Sequence, residues 1–257
     1  MNAQEKWIAF QTIFIKEVRR YIRIWPQTLL PPAITMTLYF VIFGALIGSR
    51  IGQMGGFNYM QFVVPGLIMM AIVTNSYSNV VSSFFGARYN HSVEELLVSP
   101  VPNWIILAGY IMGSVSRGLL VAVIVTTLSL FFADLTIKHV GITLVVVLFT
   151  SVLFALFGFI NAVFAKNFDD ISIIPTFLLT PLVYLGGVFY SLELLSDFWA
   201  SASKLNPLVY VVNGFRYGVL GVSDVDVTFS IAMIVSFTLV AFVYSLHLLN
   251  SGTRLRE

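Results

Sequence analysis

Six long runs of apolar residues, each nearly free of charge, leave this chain few folds to choose from. A bilayer's hydrocarbon core is about 30 Å thick and takes about 20 residues of helix to cross, with every backbone amide satisfied inside the segment. The runs occupy residues 28–48, 59–85, 115–133, 139–164, 171–190 and 227–250. With 58% hydrophobic and 10% charged residues, no water-soluble core of 257 residues could enclose them. The fold class expected is an all-α integral membrane protein with six transmembrane helices.

Cations set the expected orientation, because Lys and Arg are retained on the cytoplasmic side. With the amino terminus inside, Lys6, Lys16, Arg19, Arg20, Arg23, Arg88, Lys166, Arg254 and Arg256 lie in inner segments. Only Arg50, Lys138, Lys204 and Arg216 lie in outer ones, so both termini are expected in the cytoplasm. A net charge of +2, with basic residues interleaved among carboxylates, excludes a nucleic-acid partner. The chain has no cysteine, which excludes disulfides and thiolate metal sites. His91, His139 and His247 lie on separate segments, so no metal centre is expected.

Residues 1–25 are broken by charge every few positions and do not form a signal-peptide core. Trp7, Phe10, Phe14, Val18, Tyr21 and Trp25 recur every three or four residues, while Lys16, Arg19, Arg20 and Arg23 lie mostly off that stripe. This pattern fits an interfacial helix anchored in membrane lipid, or a helix packed on a partner.

Between the second and third runs, segment 86–103 contains Ser92, three residues before Glu95, in capping-box spacing, and Pro100 and Pro102 stop the helix that follows. The short helix carries Val93, Leu96 and Leu97 on one side and Glu94 and Glu95 at its start. It is either a docking element or a loop folded under its own bundle. Segment 191–226 holds an amphipathic stretch with Phe198 and Trp199, then Asn206-Pro207, then a second apolar stretch with Tyr210 and Arg216. Neither half is long enough to cross. The two form a re-entrant helical pair dipping into the outer leaflet before the last span, or a membrane-hugging loop.

Polar residues within spans are the internal clue to a pathway. Asn75, Asn79 and Ser82 share a face of the second run and either line a route, form a dimer face, or hydrogen-bond neighbouring helices. Arg117 is expected at the inner interface, with 104–116 projecting or skimming on the cytoplasmic side and Asp169 or Asp170 as its partner. The same two carboxylates are expected to cap the fifth span.

The segments Val93-Glu-Glu-Leu-Leu-Val-Ser-Pro-Val-Pro102, Gly186-Gly-Val-Phe-Tyr190 and 205–218, beginning Leu-Asn-Pro-Leu, resemble those of permease subunits of ABC-2 type ATP-binding cassette exporters. The resemblance covers nearly the whole chain. It implies a bacterial inner-membrane location and a second copy of the chain across a central pathway. It also implies two cytoplasmic ATPase subunits binding ATP and Mg²⁺, and no cofactor in this chain. By the same resemblance, Ser92, Val93, Glu94, Glu95, Leu96, Leu97 and Pro100 couple to the ATPase. Phe198, Trp199, Asn206, Pro207, Tyr210 and Arg216 form an external gate.

One absence is consistent with that division of labour. A phosphate-binding G-x-x-x-x-G-K-[ST] loop needs Lys directly after Gly, and none of the five lysines follows a glycine. The expected function is export of an amphiphilic or hydrophobic molecule such as a drug, lipid or lipid-linked glycan. The alternatives are an ion-coupled carrier, which would need an ionisable group near the midplane, and a membrane anchor for an ATPase. An intramembrane enzyme would need clustered His, acid or Ser partners, which the sequence does not display.

Overall fold

A computed structural model describes residues 1–252, helical almost throughout. In chain order, α1 spans Ala3–Arg23 and α2 Trp25–Gly48, followed by a two-stranded hairpin of β1 (Gln53–Met54) and β2 (Phe57–Asn58). Then come α3 (Tyr59–Tyr89), α4 (Ser92–Val98), α5 (Asn103–Ser129) and α6 (Val140–Phe164). The chain closes with α7 (Asp170–Tyr184), α8 (Asp197–Ser203), α9 (Pro207–Leu220) and α10 (Val227–Ser251).

Five of these, α2, α3, α5, α6 and α10, are long and apolar enough to cross a membrane. The expected span at 171–190 is shorter: α7 has 15 residues, about 22 Å of helix. Its prolines are the reason. Pro175 and Pro181 lack amide donors, a π-helical turn runs over Pro175–Leu179, and Thr180 Oγ1 donates to the Pro175 carbonyl at 2.8 Å. Gly187, at φ 74, then turns the chain away from the helix.

The third expected span also differs. Its helix begins at Asn103 rather than near 115 and stops at Ser129, where the chain turns. The stretch expected to project or skim, 104–116, is continuous with the span.

The core is built around α3, whose side chains from Phe62 to Phe85 are almost all buried against α5 and α6. Two small residues permit the close approach. A Cβ at Gly158 of α6 would lie 2.5 Å from the Tyr77 carbonyl oxygen, and one at Gly118 of α5 would lie 2.1 Å from Ser76 Oγ.

Two ends of the bundle are distinct. At one, α4 lies with the start of α5, the turn after α6 and the end of α10: Asn103 Nδ2 donates to Asn250 Oδ1 at 2.8 Å, and Phe85 meets Phe168 edge-on at 5.0 Å. At the other, the β hairpin meets the α5–α6 connection and the end of α9: Gln61 Nε2 donates to the Asp134 carbonyl and Lys138 N to the Val219 carbonyl, both at 3.1 Å. The segments carrying the cations from Lys6 to Arg23, with Arg88 and Lys166, belong to the half nearer α4, and Arg50 and Lys138 to the opposite end. Arg254 and Arg256 lie outside the described residues.

α9 runs antiparallel along the first half of α6. His139 N donates to the Gly218 carbonyl at 2.8 Å, Gly214 abuts Val146, and Pro207 at the other tip reaches Phe154.

Candidate functional site

The helix α4 starts differently from its expected capping box. His91 takes the left-handed conformation at φ 58 and precedes the helix, its ring bonded to Glu94 at 2.8 Å. Ser92 Oγ donates back to the Ala87 carbonyl at 2.9 Å, tying α4 to the end of α3 instead of capping Glu95. Val93 is buried and Leu96 and Leu97 are half-buried against the core, so neither leucine is the side chain α4 offers most openly. That position belongs to Val98, 87% exposed, with exposed Glu95 and Pro100 beside it and Glu94 half-exposed.

Arg88, near the end of α3, ties that helix to α6. Its guanidinium donates to the carbonyls of Ala162 and Val163 in the last turn of α6 and of Ala165 just after it. One cation therefore joins the end of α3, from which α4 follows, to the end of α6.

Deeper in the bundle, α1 packs along the first half of α5. Gly109 and Gly113, one turn apart, admit it: added Cβ atoms would lie 2.5 Å from Ile13 Cγ2 and 2.4 Å from Glu17 Cβ. Glu17 is fully buried, accepts from Ser83 Oγ at 2.5 Å, and faces Lys16 and Arg20 at 3.6 and 3.4 Å. Burial alone would favour loss of the Lys16 proton, but Tyr110 and Glu17 outweigh it and hold its pKa above the ordinary lysine range. Arg20 Nη2 donates to both the backbone and side-chain oxygens of Asn79 at 2.9 Å, and its Nη1 reaches Ser82 at 3.4 Å. Asn79 Nδ2 donates in turn to Ser114 Oγ at 3.0 Å.

Arg117 completes this hub, bonded to the Thr28 carbonyl and Asn75 Oδ1 at 3.1 Å and to Asn79 Oδ1 at 3.5 Å. Its expected partners Asp169 and Asp170 are elsewhere. Asp170 accepts from Lys166 N at 2.8 Å, and the Asp169 side chain caps no helix amide, because the chain approaches α7 with Asp169 already helical. Asn75 lies about 24 Å along α3 from Tyr59, and Thr28 opens the expected first span. Of the expected stripe, Asn75 and Asn79 are buried in this hub, while Ser82 is exposed.

Of the aromatic stripe of α1 only Tyr21, at its edge, is buried. Trp7 and Trp25 are exposed, Phe14 is half-buried and stacks on Phe10, and Arg19 and Arg23 are exposed. The buried line is Ile13, Glu17 and Tyr21, between the aromatic and basic faces.

At the opposite half, Asn206 caps α9, accepting from Leu208 N at 2.9 Å and donating to the Leu182 carbonyl at 2.7 Å. Tyr210 donates to the Lys204 carbonyl at 2.8 Å. Phe198 and Trp199 on α8 are 72% and 61% exposed. Arg216, assigned to an outer segment and the external gate, is fully buried within the chain, because α9 packs against α3 and α6: its Nη2 donates to the Gly187 carbonyl at 2.6 Å, its Nη1 to Asn213 at 3.3 Å, and its guanidinium sits 3.8 Å over the Phe62 ring.

A family model described as ABC-2 type transporter matches residues 8–220. The chain belongs to the ABC-2 type transporter family. This ABC-2 protein is 55% identical over 251 residues to the inner membrane transport permease YadH of Escherichia coli K12, covering 98% of each chain. It is 21% identical over 249 residues to nodulation protein J of Neorhizobium galegae, covering 95% of this chain and 92% of the relative. Membership identifies the chain as the membrane subunit of an ABC transporter rather than an enzyme.

Sequence reasoning on this ABC-2 subunit passed over Glu17, Arg88 and Val98. Glu17 was detectable as the lone acid beside Lys16 and one turn before Arg20, with Gly109 and Gly113 marking a close helix contact. Arg88 and Val98 carry no such signal, since their roles depend on where α6 ends and which way α4 turns.

Proposed function

We propose that this chain is the transmembrane half of an ATP-driven exporter in the bacterial inner membrane. Two copies work above two cytoplasmic ATPase subunits that bind ATP and Mg²⁺, and they move an amphiphilic or hydrophobic molecule outward. The α4 end and both termini face the cytoplasm, α7 serves as a broken fifth span that brings the total to six, and α8 with α9 forms the re-entrant pair of the external gate. The relative YadH, an inner membrane transport permease, supports the location. The antiparallel run of α9 beside half of α6 supports the re-entrant reading.

The observation that carries the proposal is the way α4 is mounted. It offers Val98 and Glu95 outward while Ser92 ties it to the end of α3, which Arg88 in turn joins to α6, so a push on α4 is passed to two long helices. A partner without a binding face for α4 could not deliver that push. The test is a pull-down of the tagged chain from native membranes, followed by protein identification and an ATPase assay. A stoichiometric cassette ATPase whose turnover depends on this chain, and loses that dependence in Glu94→Ala/Glu95→Ala, is expected. Its reproducible absence with the chain intact would instead favour an ion-coupled carrier.

A further inference from the structure

α3 is enclosed on nearly every side, and where it opens it shows hydroxyls. Between Tyr59 and Phe85 its two exposed side chains are Ser78 and Ser82, with Thr74 half-exposed at the next step of four. Other spans expose carbon instead: Leu144 and Leu148 on α6, and Leu239, Val240 and Val243 on α10. Aliphatic side chains suit lipid tails, whereas hydroxyl groups in hydrocarbon forfeit their hydration. The strip on α3 has the chemistry of a surface that meets water or a polar group.

α7 lies beside α3 and repeats the pattern on one flank. Ser172, Thr176, Thr180 and Tyr184 fall four apart and are exposed, whereas Leu178 and Leu182 line a space shared with α6, and Leu179 and Val183 are buried. A helix interrupted by two prolines is tolerated at membrane depth where it borders protein or a watery cavity.

The strip is open at one end only. Leu67 and Ala71, on the same face of α3 as Ser78, are fully buried, and a Cβ at Gly66 would lie 2.8 Å from the Val188 carbonyl oxygen. On that side of the strip the hydroxyls of Tyr39 on α2 and Tyr184 on α7 share a hydrogen bond at 2.5 Å, and Phe189 stacks on Phe43 at 4.5 Å and on Tyr184 at 5.6 Å. This aromatic bridge joins α2 to α7.

The open end carries positive charge. Arg20 Nη1 reaches Ser82 Oγ at 3.4 Å, the Arg20 side chain is about a quarter exposed, and Arg23 is exposed one turn further along α1. The carboxylate beside Arg20, Glu17, is fully buried, and α3 contains no acidic residue. Lys166 and Asp169, in the turn before α7, offset one another.

We propose that Thr74, Ser78 and Ser82 form one wall of the cargo route, open toward the α4 end and shut at the Tyr39–Tyr184 bridge, and that the route takes an amphiphile with an anionic head, drawn in by Arg20. The wall is about 12 Å long. Its direction and purpose rest on the exporter reading, in which the α4 end is cytoplasmic and the second copy supplies the far side of the route.

A chain without cysteine lets one thiol be placed at a time. The experiment uses Ser78→Cys, Ser82→Cys and, as a control on the exposed face of α10, Val243→Cys, each in the full chain in inner-membrane vesicles of both orientations. The probes are two membrane-impermeant methanethiosulfonates, one bearing a sulfonate and one a trimethylammonium group, and each rate is divided by that of the same reagent with a free thiol in solution. Ser78→Cys and Ser82→Cys are expected to react in inverted vesicles and not in right-side-out ones, and Val243→Cys in neither. At Ser78→Cys the normalised rate should be about tenfold higher for the sulfonate reagent, and either high salt or Arg20→Gln should level the two.

Silence at both positions from the inner face overturns the proposal, because lipid or the second copy then covers the strip. Reaction from the outer face alone also overturns it, since the opening is then at the wrong end. So does rapid oxidation of Ser78→Cys to a disulfide between two copies, which makes the strip a contact. Equal normalised rates for the two reagents overturn the anionic preference. No ATPase takes part, so failure here leaves the exporter reading standing, and failure to capture an ATPase leaves an open route standing as that of another kind of transporter.

Discussion

Two buried arginines occupy opposite halves of the bundle, and they are held by different kinds of group. Arg117 is bonded chiefly to side chains, the amide oxygens of Asn75 and Asn79, with the Thr28 carbonyl as a third acceptor. Arg216 is held by the Gly187 carbonyl and the face of Phe62, with Asn213 alone supplying a side-chain oxygen. Asn213 is itself pinned, because its Oδ1 also accepts from Asp224 N at 3.0 Å and its amide donates to the Val209 carbonyl at 3.0 Å. Side-chain partners can exchange when a helix shifts, whereas backbone carbonyls and a packed ring cannot. The Arg216 region therefore acts as a rivet under the arm formed by α8 and α9. The Arg117 hub acts as a joint that can be remade.

The comparison breaks most visibly at the rivet. Arg216→Leu leaves the Gly187 carbonyl and Asn213 without their charged donor in a closed site, and each such bond contributes about 1.5–3 kcal/mol. A loss of about 3 kcal/mol and a sharply reduced yield of folded protein in detergent are expected, measured by thermal unfolding and size-exclusion chromatography. Near-normal stability would show that the arm formed by α8 and α9 does not depend on this residue.

The joint should give way more gently. Glu17→Ala removes the fully buried carboxylate that gathers Lys16, Arg20 and Ser83, but Lys16 is half-exposed and Arg20 about a quarter exposed. Water screens those partners, so the expected loss is about 1–2 kcal/mol. Its location matters more than its size. Limited proteolysis should find α1 newly cleavable while α3 to α10 remain intact, and equal protection of α1 in both proteins would remove Glu17 from its docking role.

Asn75→Leu probes the joint at one bond. Arg117 loses the Asn75 acceptor but keeps the Thr28 carbonyl and Asn79, so about 1 kcal/mol is expected. Membrane insertion and expression should stay near normal. Under the exporter reading, transport-coupled ATP turnover should change more than stability does. Gross misfolding would mean that the hub is as rigid as the Arg216 site.

The membrane class, the five long spans and the short helix α4 were legible because an uncharged run of 20 residues has one physical use, and because Pro100 and Pro102 bound α4 on one side. The shortness of α7 was marked by Pro175 and Pro181, yet mean hydropathy cannot tell a broken apolar segment from an intact one. The partners of Arg117 were not legible. Asp169 and Asp170 are carboxylates and drew the assignment, but the hub uses the neutral amides of Asn75 and Asn79, four positions apart on α3, which look like ordinary helix polarity. The burial of Arg216 was not legible for a related reason: it depends on α9 packing against α3 and α6, which no local pattern around residue 216 encodes.

The smallest change in stability belongs to Val98, which touches neither arginine site. The side chain is 87% exposed at the last residue of α4, so Val98→Asp should alter stability by no more than about 0.5 kcal/mol. If α4 is the element through which an ATPase drives the bundle, the same substitution places a carboxylate where an apolar contact is needed, beside Glu95. ATPase stimulation in the reconstituted complex should then drop about tenfold, as expected for a lost contact of about 1.4 kcal/mol. Val98→Ile, which keeps the apolar surface, should restore it. Equal stimulation in all three proteins would leave α4 as a loop folded under its own bundle and would move the input to the joint elsewhere, with α1 the next surface to test.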